Sequence, residues 1–121
     1  LVPILAVLAS YCKGTTYLTH IERLQLKESN RIKTTAELLS RFGVECQFYH
    51  DRLVITGSNR LCGCTVNSHN DHRIAMAAAI AATSASSDVV IERADCVNKS
   101  YPNFFEDYNQ LGGNAYVIPM E

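Results

Sequence analysis

Apolar and polar residues follow three different patterns along the chain, and each pattern predicts a helix of a different kind. Residues 3–11 are apolar almost all round and are followed by Gly14, which predicts a buried helix. Within 32–42 the apolar residues recur at helical spacing and stop at Gly43, which predicts an amphipathic helix. Alanine dominates 74–85, which predicts a helix that can pack closely against a sheet.

Short runs of β-branched and aromatic residues predict strands between these helices. The predicted strands are 15–21, 44–48, 53–55, 61–66, 88–92 and 115–118. The second and third are joined by a short polar turn and predict a β-hairpin. Residues 102–111 predict a short helix that Pro102 opens. This order of elements predicts an α/β fold, with a sheet layered by helices.

Size and composition narrow the classes of function. The 121 residues are 47% hydrophobic and 19% charged, a balance typical of one globular domain. The net charge is -1 and no basic block occurs, which argues against general nucleic-acid or anionic-membrane binding. No apolar run approaches the ~20 residues that span a bilayer. The five cysteines and the lack of a secretory signal predict a reduced, cytoplasmic protein.

Three polar clusters fall at predicted element junctions. They are Lys27-Glu28-Ser29-Asn30-Arg31, Asn70-Asp71-His72-Arg73 and Asn98-Lys99-Ser100. Each is expected to bring a cation just before or at the start of a helix, where N–H groups and the helix dipole favour anions. If the clusters meet, they form a site for a polyanionic small molecule. The alternative is three ordinary capped helices with surface ion pairs, and spacing alone leaves both open.

Two side chains in these clusters could move protons. Glu28 lies beside Lys27, which lowers the pKa of a carboxyl, whereas burial raises it, and a carboxylate balanced between the two can carry a proton. His72 could assist by orientation or proton transfer, or could simply bond a backbone carbonyl at a helix start.

A metal site is the remaining chemical alternative. Cys62, Cys64, His69 and His72 are potential ligands within eleven residues. Their spacing is not that of the common zinc motifs, and neither common glycine-rich nucleotide loop is present. The sequence therefore predicts no metal site.

The three clusters resemble, in order and spacing, signatures of the 5-enolpyruvylshikimate-3-phosphate synthase family. The matching segments are Val2-Pro3-Ile4-Leu5-Ala6, Lys13-Gly14-Thr15-Thr16, 27–31, 70–77 and 99–104. The resemblance implies the enolpyruvyl transferase fold, an inside-out α/β barrel with two domains of βαβαββ units and a cleft between them. It also implies that 1–121 is a single partial domain, the carboxy-terminal part of such an enzyme.

The resemblance implies a reaction as well. The enolpyruvyl group of phosphoenolpyruvate passes to the 5-hydroxyl of shikimate 3-phosphate, and phosphate is released. Addition precedes elimination, through a tetrahedral intermediate, with no metal or organic cofactor. This step belongs to the shikimate pathway of aromatic amino acid biosynthesis.

The residue roles carried over by the resemblance follow the same clusters. Lys27 would contact shikimate 3-phosphate, while Arg31, Arg73 and Lys99 would hold phosphoenolpyruvate. Glu28 would exchange the proton at the methylene carbon, and His72 would support it.

The chain departs from the family pattern at several places. Gln25 replaces an arginine, and Asn30 replaces an aspartate whose charge is expected to orient Arg31 or Lys27. The family's catalytic aspartate is expected directly before Leu1, and the amino-terminal half is missing. We therefore expect a piece of a longer enzyme that has no turnover alone.

Other readings stay open at this point. They are an anion-binding module without chemistry, a relative of the UDP-N-acetylglucosamine enolpyruvyl transferase, and an interaction fragment that associates with copies of itself.

Overall fold

The fold was analysed in a computed structural model that describes residues 1–27, 29–58 and 60–118. The predicted proton carrier Glu28 lies outside the described residues, so its role stays a prediction.

Three helices form the centre of the fold, and all three were predicted. They are α1 (Val2–Ser10), α2 (Arg31–Arg41) and α3 (His72–Ala82). α2 is followed by Gly43, whose φ of +85° lies in the left-handed region that favours glycine. A shorter helix, α4 (Phe104–Gln110), begins two residues later than predicted.

An antiparallel sheet packs against one side of these helices. Its strands are β1 (Thr15–Thr19), β2 (Glu45–Phe48) and β3 (Arg52–Thr56), in the order β1-β3-β2. β2 and β3 form the predicted hairpin, with Glu45 opposite Thr56. Leu53 and Ile55 on β3 are fully buried and direct this sheet into the core.

A second sheet consists of two parallel strands, one of which contacts α3. Strands β4 (Thr65–Asn67) and β5 (Val90–Glu92) pair with Val66 opposite Ile91, and α3 connects them. Both strands are shorter than predicted. Leu61, which the prediction included in β4, forms only an isolated bridge to Ala85. Within this strand–helix–strand unit, α3 begins at the edge of the core.

The core lies between the helices and the two sheets. α1 packs against both α2 and α3, and its small residues Ala6 and Ala9 are buried. α3 contributes Ala77, Ala78 and Ala81, all at most 2% exposed. Because alanine has no side chain beyond Cβ, helices with alanine contacts approach closely. The composition of 74–85 predicted such packing against a sheet, whereas α3 packs mainly against helices.

The prediction that α1 is buried on all sides is wrong. One side of the helix faces solvent, and we call it the α1 outer face. Its members are Leu1, Ile4, Leu5 and Leu8, with exposures of 78%, 37%, 38% and 58%. An apolar pattern around a helix predicts cover on every side, but the described residues cover only one side.

The carboxyl end of α1 is fixed to the end of β3. The Gly57 N–H donates to the Gly14 carbonyl at 2.9 Å, and the Ser58 N–H donates to the Ser10 carbonyl at 2.8 Å. A Cβ at Gly57 would lie 1.5 Å from the Cys12 carbonyl oxygen, so only glycine allows this approach.

The segment 115–118 does not form the predicted strand. Two hydrogen bonds join Asn109 to Ala115, from the Asn109 amide to the Ala115 carbonyl at 2.9 Å and from the Ala115 N–H to Asn109 Oδ1 at 2.7 Å. These bonds hold the segment against α4, and Tyr116 and Val117 are exposed. In the described ranges, no helix has both the length and the hydropathy needed to cross a bilayer.

Candidate active site

The candidate site is built around the buried carboxylate of Asp71, which caps α3. Its Oδ1 accepts a hydrogen bond from the Arg73 N–H at 3.0 Å, and its side chain is 0% exposed. His69 and Asn70 precede it in left-handed backbone conformation, with φ of +54° and +57°. Their turn brings the chain back from β4, so that the Asp71 side chain lies over the first turn of α3.

Arg31, the first residue of α2, pairs with this carboxylate through two donors. Nε lies 3.0 Å from Asp71 Oδ2, and Nη2 lies 3.2 Å from Oδ1. The two side chains are 9% and 0% exposed. A bidentate pair of this kind fixes the plane of the guanidinium as well as its position. The starts of α2 and α3, forty positions apart in sequence, are thereby joined.

Ser29 strengthens the same connection. Its hydroxyl donates to Asp71 Oδ2 at 2.7 Å and lies 3.0 Å from the Thr34 hydroxyl. The Thr34 hydroxyl donates in turn to the Asn30 carbonyl at 3.1 Å. Ser29 directly follows Glu28, so the backbone next to the predicted proton carrier is attached to the buried carboxylate.

The surroundings of Asp71 favour its ionised form. Burial raises the pKa of the carboxyl, but the hydrogen bonds from Arg31 and Ser29, the charge of Arg31 and the Arg73 N–H together outweigh it. The pKa of Asp71 therefore lies below its usual value. At neutral pH this carboxylate is a fixed negative charge and an acceptor, not a proton donor.

The third cluster meets the second through two side-chain contacts. Lys99 Nζ donates to the Asn70 carbonyl at 2.7 Å, and the Ser100 hydroxyl lies 2.5 Å from His72 Nδ1. Lys99 was predicted just before a helix that opens at Pro102, but it ends the 3₁₀ helix Ala94–Lys99, and α4 begins only at Phe104. Within the described ranges, the Lys99 ammonium thus contacts a neutral carbonyl and not a carboxylate.

The structure thus brings together parts of all three sequence clusters, and we call the result the polar corner. Its members are Ser29, Arg31, Asp71, His72, Arg73, Lys99 and Ser100. Three are cations and one is a carboxylate, so the corner is positively charged when its histidine is neutral. Such a corner can bind an anion at the start of α3, where the helix dipole adds to the attraction.

An open groove of about 460 Å³ adjoins the polar corner. Arg73, Leu1, Tyr101 and Phe104 are among its lining residues. The amino end of α1 therefore faces the same cationic region as the groove.

The remaining predicted site residues are less closely connected. Lys27 is exposed and follows the 3₁₀ helix Glu22–Leu26, which the sequence analysis did not predict. Gln25, which replaces a family arginine, donates its amide hydrogen to the His50 carbonyl and so contacts the hairpin turn.

Asn30 does not have the orienting role expected of the family aspartate at its position. Its side chain accepts from the Lys33 N–H at 3.3 Å and caps α2. Arg31 is oriented by Asp71 instead, through a contact that a neutral residue at position 30 does not disturb.

The four potential metal ligands are not gathered at one point. His69 Nε2 lies 3.2 Å from both carboxylate oxygens of Glu37, and His72 contacts Ser100. Throughout the described ranges, no three histidine, cysteine, aspartate or glutamate side chains are grouped so that they could hold a metal ion.

Comparison with known proteins identifies the family. The family described as EPSP synthase (3-phosphoshikimate 1-carboxyvinyltransferase) matches residues 1–108. The chain belongs to the EPSP synthase family. A 3-phosphoshikimate 1-carboxyvinyltransferase of Clostridium acetobutylicum is 47% identical over 116 residues, which are 96% of this chain and 27% of that protein. A Caldicellulosiruptor bescii protein of the same name is 48% identical over 106 residues, or 87% of this chain and 24% of its own length.

Solved structures agree with this assignment. An EPSP synthase from Acinetobacter baumannii superposes with a TM-score of 0.88 at 32% identity, covering 93% of this chain and 27% of that one. The predicted enolpyruvyl transferase fold is therefore confirmed. The chain spans about a quarter of the length of the EPSP synthases that it matches.

Sequence reasoning missed the polar residues that connect the clusters. Asp71, Ser29 and Ser100 were quoted within clusters without a role of their own. The available signal was their position, because each lies directly beside a predicted functional residue. Thr34 carried no such signal.

Proposed function

We propose that this chain is the part of a 3-phosphoshikimate 1-carboxyvinyltransferase that holds the phosphate of phosphoenolpyruvate. The observation that carries the proposal is the polar corner, in which the Arg31 guanidinium is fixed by Asp71 beside Arg73 and Lys99. Family membership supplies the reaction, and the corner supplies charge of the sign and density that a small polyanion requires.

In this proposal Arg31, Arg73 and Lys99 bind phosphoenolpyruvate, and Lys27 contacts shikimate 3-phosphate. The substrate's negative charge lies between two helix starts. When the phosphate departs, the same cations stabilise the charge that develops on it. Because Asp71 already fixes Arg31, little reorganisation accompanies binding.

Proton transfer accompanies both steps. The 5-hydroxyl oxygen bonds to C2 of phosphoenolpyruvate while C3 gains a proton from Glu28, and the hydroxyl proton passes to the aspartate expected before Leu1. C3 then returns a proton to Glu28, the C2–C3 double bond forms again, and phosphate leaves with the electrons of its bond to C2. His72 supports Glu28 in this exchange.

The partner of this chain is the rest of the same enzyme. The α1 outer face exposes four large apolar side chains, and such a patch marks an interaction surface. We propose that the remaining part of an EPSP synthase covers it and supplies the opposite wall of the cleft. The isolated chain then has no turnover, and the complete enzyme acts in the cytoplasm.

A chimaera tests the function directly. The matching segment of the Clostridium acetobutylicum protein, which is 47% identical, is replaced by this chain, and phosphate release is measured with both substrates. We expect turnover from the chimaera and none from the chain alone. Glu28→Gln should lower kcat by roughly 10²- to 10⁴-fold, because it removes the proton carrier.

Glu45→Gln, at an exposed position of β2, is the matched control and should leave turnover unchanged. A chimaera that binds phosphoenolpyruvate but does not release phosphate would favour an anion-binding module instead. Undiminished turnover in Glu28→Gln would exclude the assigned proton carrier.

A further inference from the structure

We propose that Ser68 is a positioning residue for Lys99. Its buried hydroxyl joins the turn that offers Lys99 an acceptor to the 3₁₀ helix that carries Lys99. The carrying observation is that this one oxygen bonds both Asn70 and Arg93. The inference deepens the proposed function and rests on it only for the part that Lys99 plays in binding phosphoenolpyruvate.

The hydrogen bonds at the Ser68 hydroxyl have defined directions. Its oxygen lies 3.1 Å from the Arg93 carbonyl oxygen, which can only accept, so the hydroxyl donates there. The Asn70 N–H, which can only donate, approaches the same oxygen at 3.2 Å. Cys96 Sγ lies 3.6 Å away, and because the hydroxyl hydrogen is already used, the thiol donates. Ser68 is 0% exposed, so solvent does not compete for these bonds.

These bonds close a ring that includes Lys99. Arg93 directly precedes the 3₁₀ helix Ala94–Lys99, and the last residue of that helix donates from Nζ to the Asn70 carbonyl at 2.7 Å. Asn70 in turn donates its N–H to Ser68. The donor and the acceptor of the Lys99 contact are therefore both attached, through the backbone, to one buried oxygen. Because lysine has a flexible four-carbon stem, a fixed acceptor restricts where its charge lies.

The neighbouring Asp71 is held by a different group of the same residue. The Asp71 N–H donates to the backbone carbonyl of Ser68 at 3.0 Å, and a change of side chain at position 68 keeps that carbonyl. We therefore expect loss of the hydroxyl to loosen Lys99 and to leave the pair of Arg31 with Asp71 in place. The effect on the polar corner should be confined to one of its cations.

A double-variant cycle tests the positioning without turnover. Urea unfolding of the 121-residue chain is measured for Ser68→Ala, for Lys99→Met and for both changes together. If Ser68 acts through Lys99, the two changes are not additive, because either change alone already weakens the contact between Lys99 and Asn70. We expect the effect of the double variant on the unfolding equilibrium constant to fall about two- to tenfold short of the product of the single effects, which is the range of one ordinary hydrogen bond.

The chimaera described above extends the test to the reaction. Ser68→Ala should raise the KM for phosphoenolpyruvate about three- to tenfold, by the loss of one hydrogen bond that holds Lys99. The KM for shikimate 3-phosphate should not change, because Lys99 is assigned to the other substrate. In a Lys99→Met background, Ser68→Ala should raise neither KM further. Ser68→Cys replaces the hydroxyl by a weak donor of similar size and gives the same readout if the alanine variant does not fold.

Ser10→Ala is the matched control, since Ser10 is also 0% exposed and its hydroxyl donates to the Val7 carbonyl within α1. Its effect on unfolding should add fully to that of Lys99→Met, and it should change neither KM. Additive effects of Ser68→Ala and Lys99→Met, in unfolding or in KM, would overturn the proposal. So would an equal rise in both KM values after Ser68→Ala. An inactive chimaera would refute the proposed function, and the unfolding cycle would still decide whether Ser68 positions Lys99.

Discussion

Helices α2 and α3 both begin with an N-cap side chain that accepts from a backbone N–H, but the two caps differ in their other contacts. Among the described residues, the Asn30 side chain bonds only the Lys33 N–H of its own helix, and it is exposed. The Asp71 side chain bonds the Arg73 N–H of its own helix and also accepts from Arg31 and Ser29, with no exposed surface. A neutral, exposed N-cap stabilises the start of its own helix, whereas a charged, buried N-cap can also join distant parts of the chain.

The comparison teaches which residues in the corner set the position of Arg31. Asn30 is next to Arg31 in sequence, and Asp71 is forty positions away. Of these two side chains, however, Asp71 is the one that contacts the guanidinium. Substitution at the two caps should therefore have very different effects.

The largest effect is expected from Asp71→Asn. The variant leaves Arg31 buried without its carboxylate, and breaking a buried pair in this way costs about 3–5 kcal/mol. The free energy of unfolding, measured by urea denaturation of the 121-residue chain, should fall by that amount. Asp88→Asn, at an exposed position, is the control. A loss no larger than that of the control would show that the buried pair contributes nothing net.

The pH dependence of stability should carry the same signature. The folded pKa of Asp71 lies below the unfolded value, so the unfolded chain binds more protons in the interval between them. The stabilisation is complete above the unfolded pKa, near the usual aspartate value, and is lost as pH falls through the folded pKa.

Urea unfolding measured at a series of acidic pH values checks this sign. The difference between the unaltered chain and Asp71→Asn should shrink as pH falls. A difference that grew on acidification would mean that burial, rather than Arg31 and Ser29, dominates the pKa of Asp71.

The smallest effect is expected from Asn30→Ala. Removal of a helix cap costs about 1 kcal/mol, because one N–H of the first turn loses its acceptor. Thermal or urea unfolding measures this loss of stability. Asn30→Asp keeps the acceptor and should be as stable as the unaltered chain. A cost comparable to that of Asp71→Asn would indicate that Asn30 has contacts outside its own helix.

The same contrast explains what the sequence could predict. Helix starts, caps and clusters of charge are local, so the regions around Arg31, Arg73 and Lys99 could be selected from residue type and position. The pairing of Arg31 with Asp71 could not, since it depends on how β4 and the turn at His69 and Asn70 return the chain. Lys99 was assigned to the region just before a helix because the sequence pattern did not predict the 3₁₀ helix that ends at this residue.

The sequence pattern also could not predict which surfaces are covered by distant parts of the chain. The apolar surface of α1 predicts burial but does not say what buries it, and the α1 outer face is exposed. The predicted strand 115–118 has suitable residues for a sheet, yet Asn109 holds its start against α4. Glu28 remains a prediction, since no contact of that residue is described.

The attachment of Gly57 and Ser58 to the end of α1 affects the position of Leu1 in the groove beside Arg73. With the carboxyl end of the helix fixed there, the number of residues in Val2–Ser10 determines the height and the angular direction of Leu1. One residue more or less would move that end by about 1.5 Å and turn it by about 100°. The phase of a single short helix thus decides which side chain is presented to Arg73.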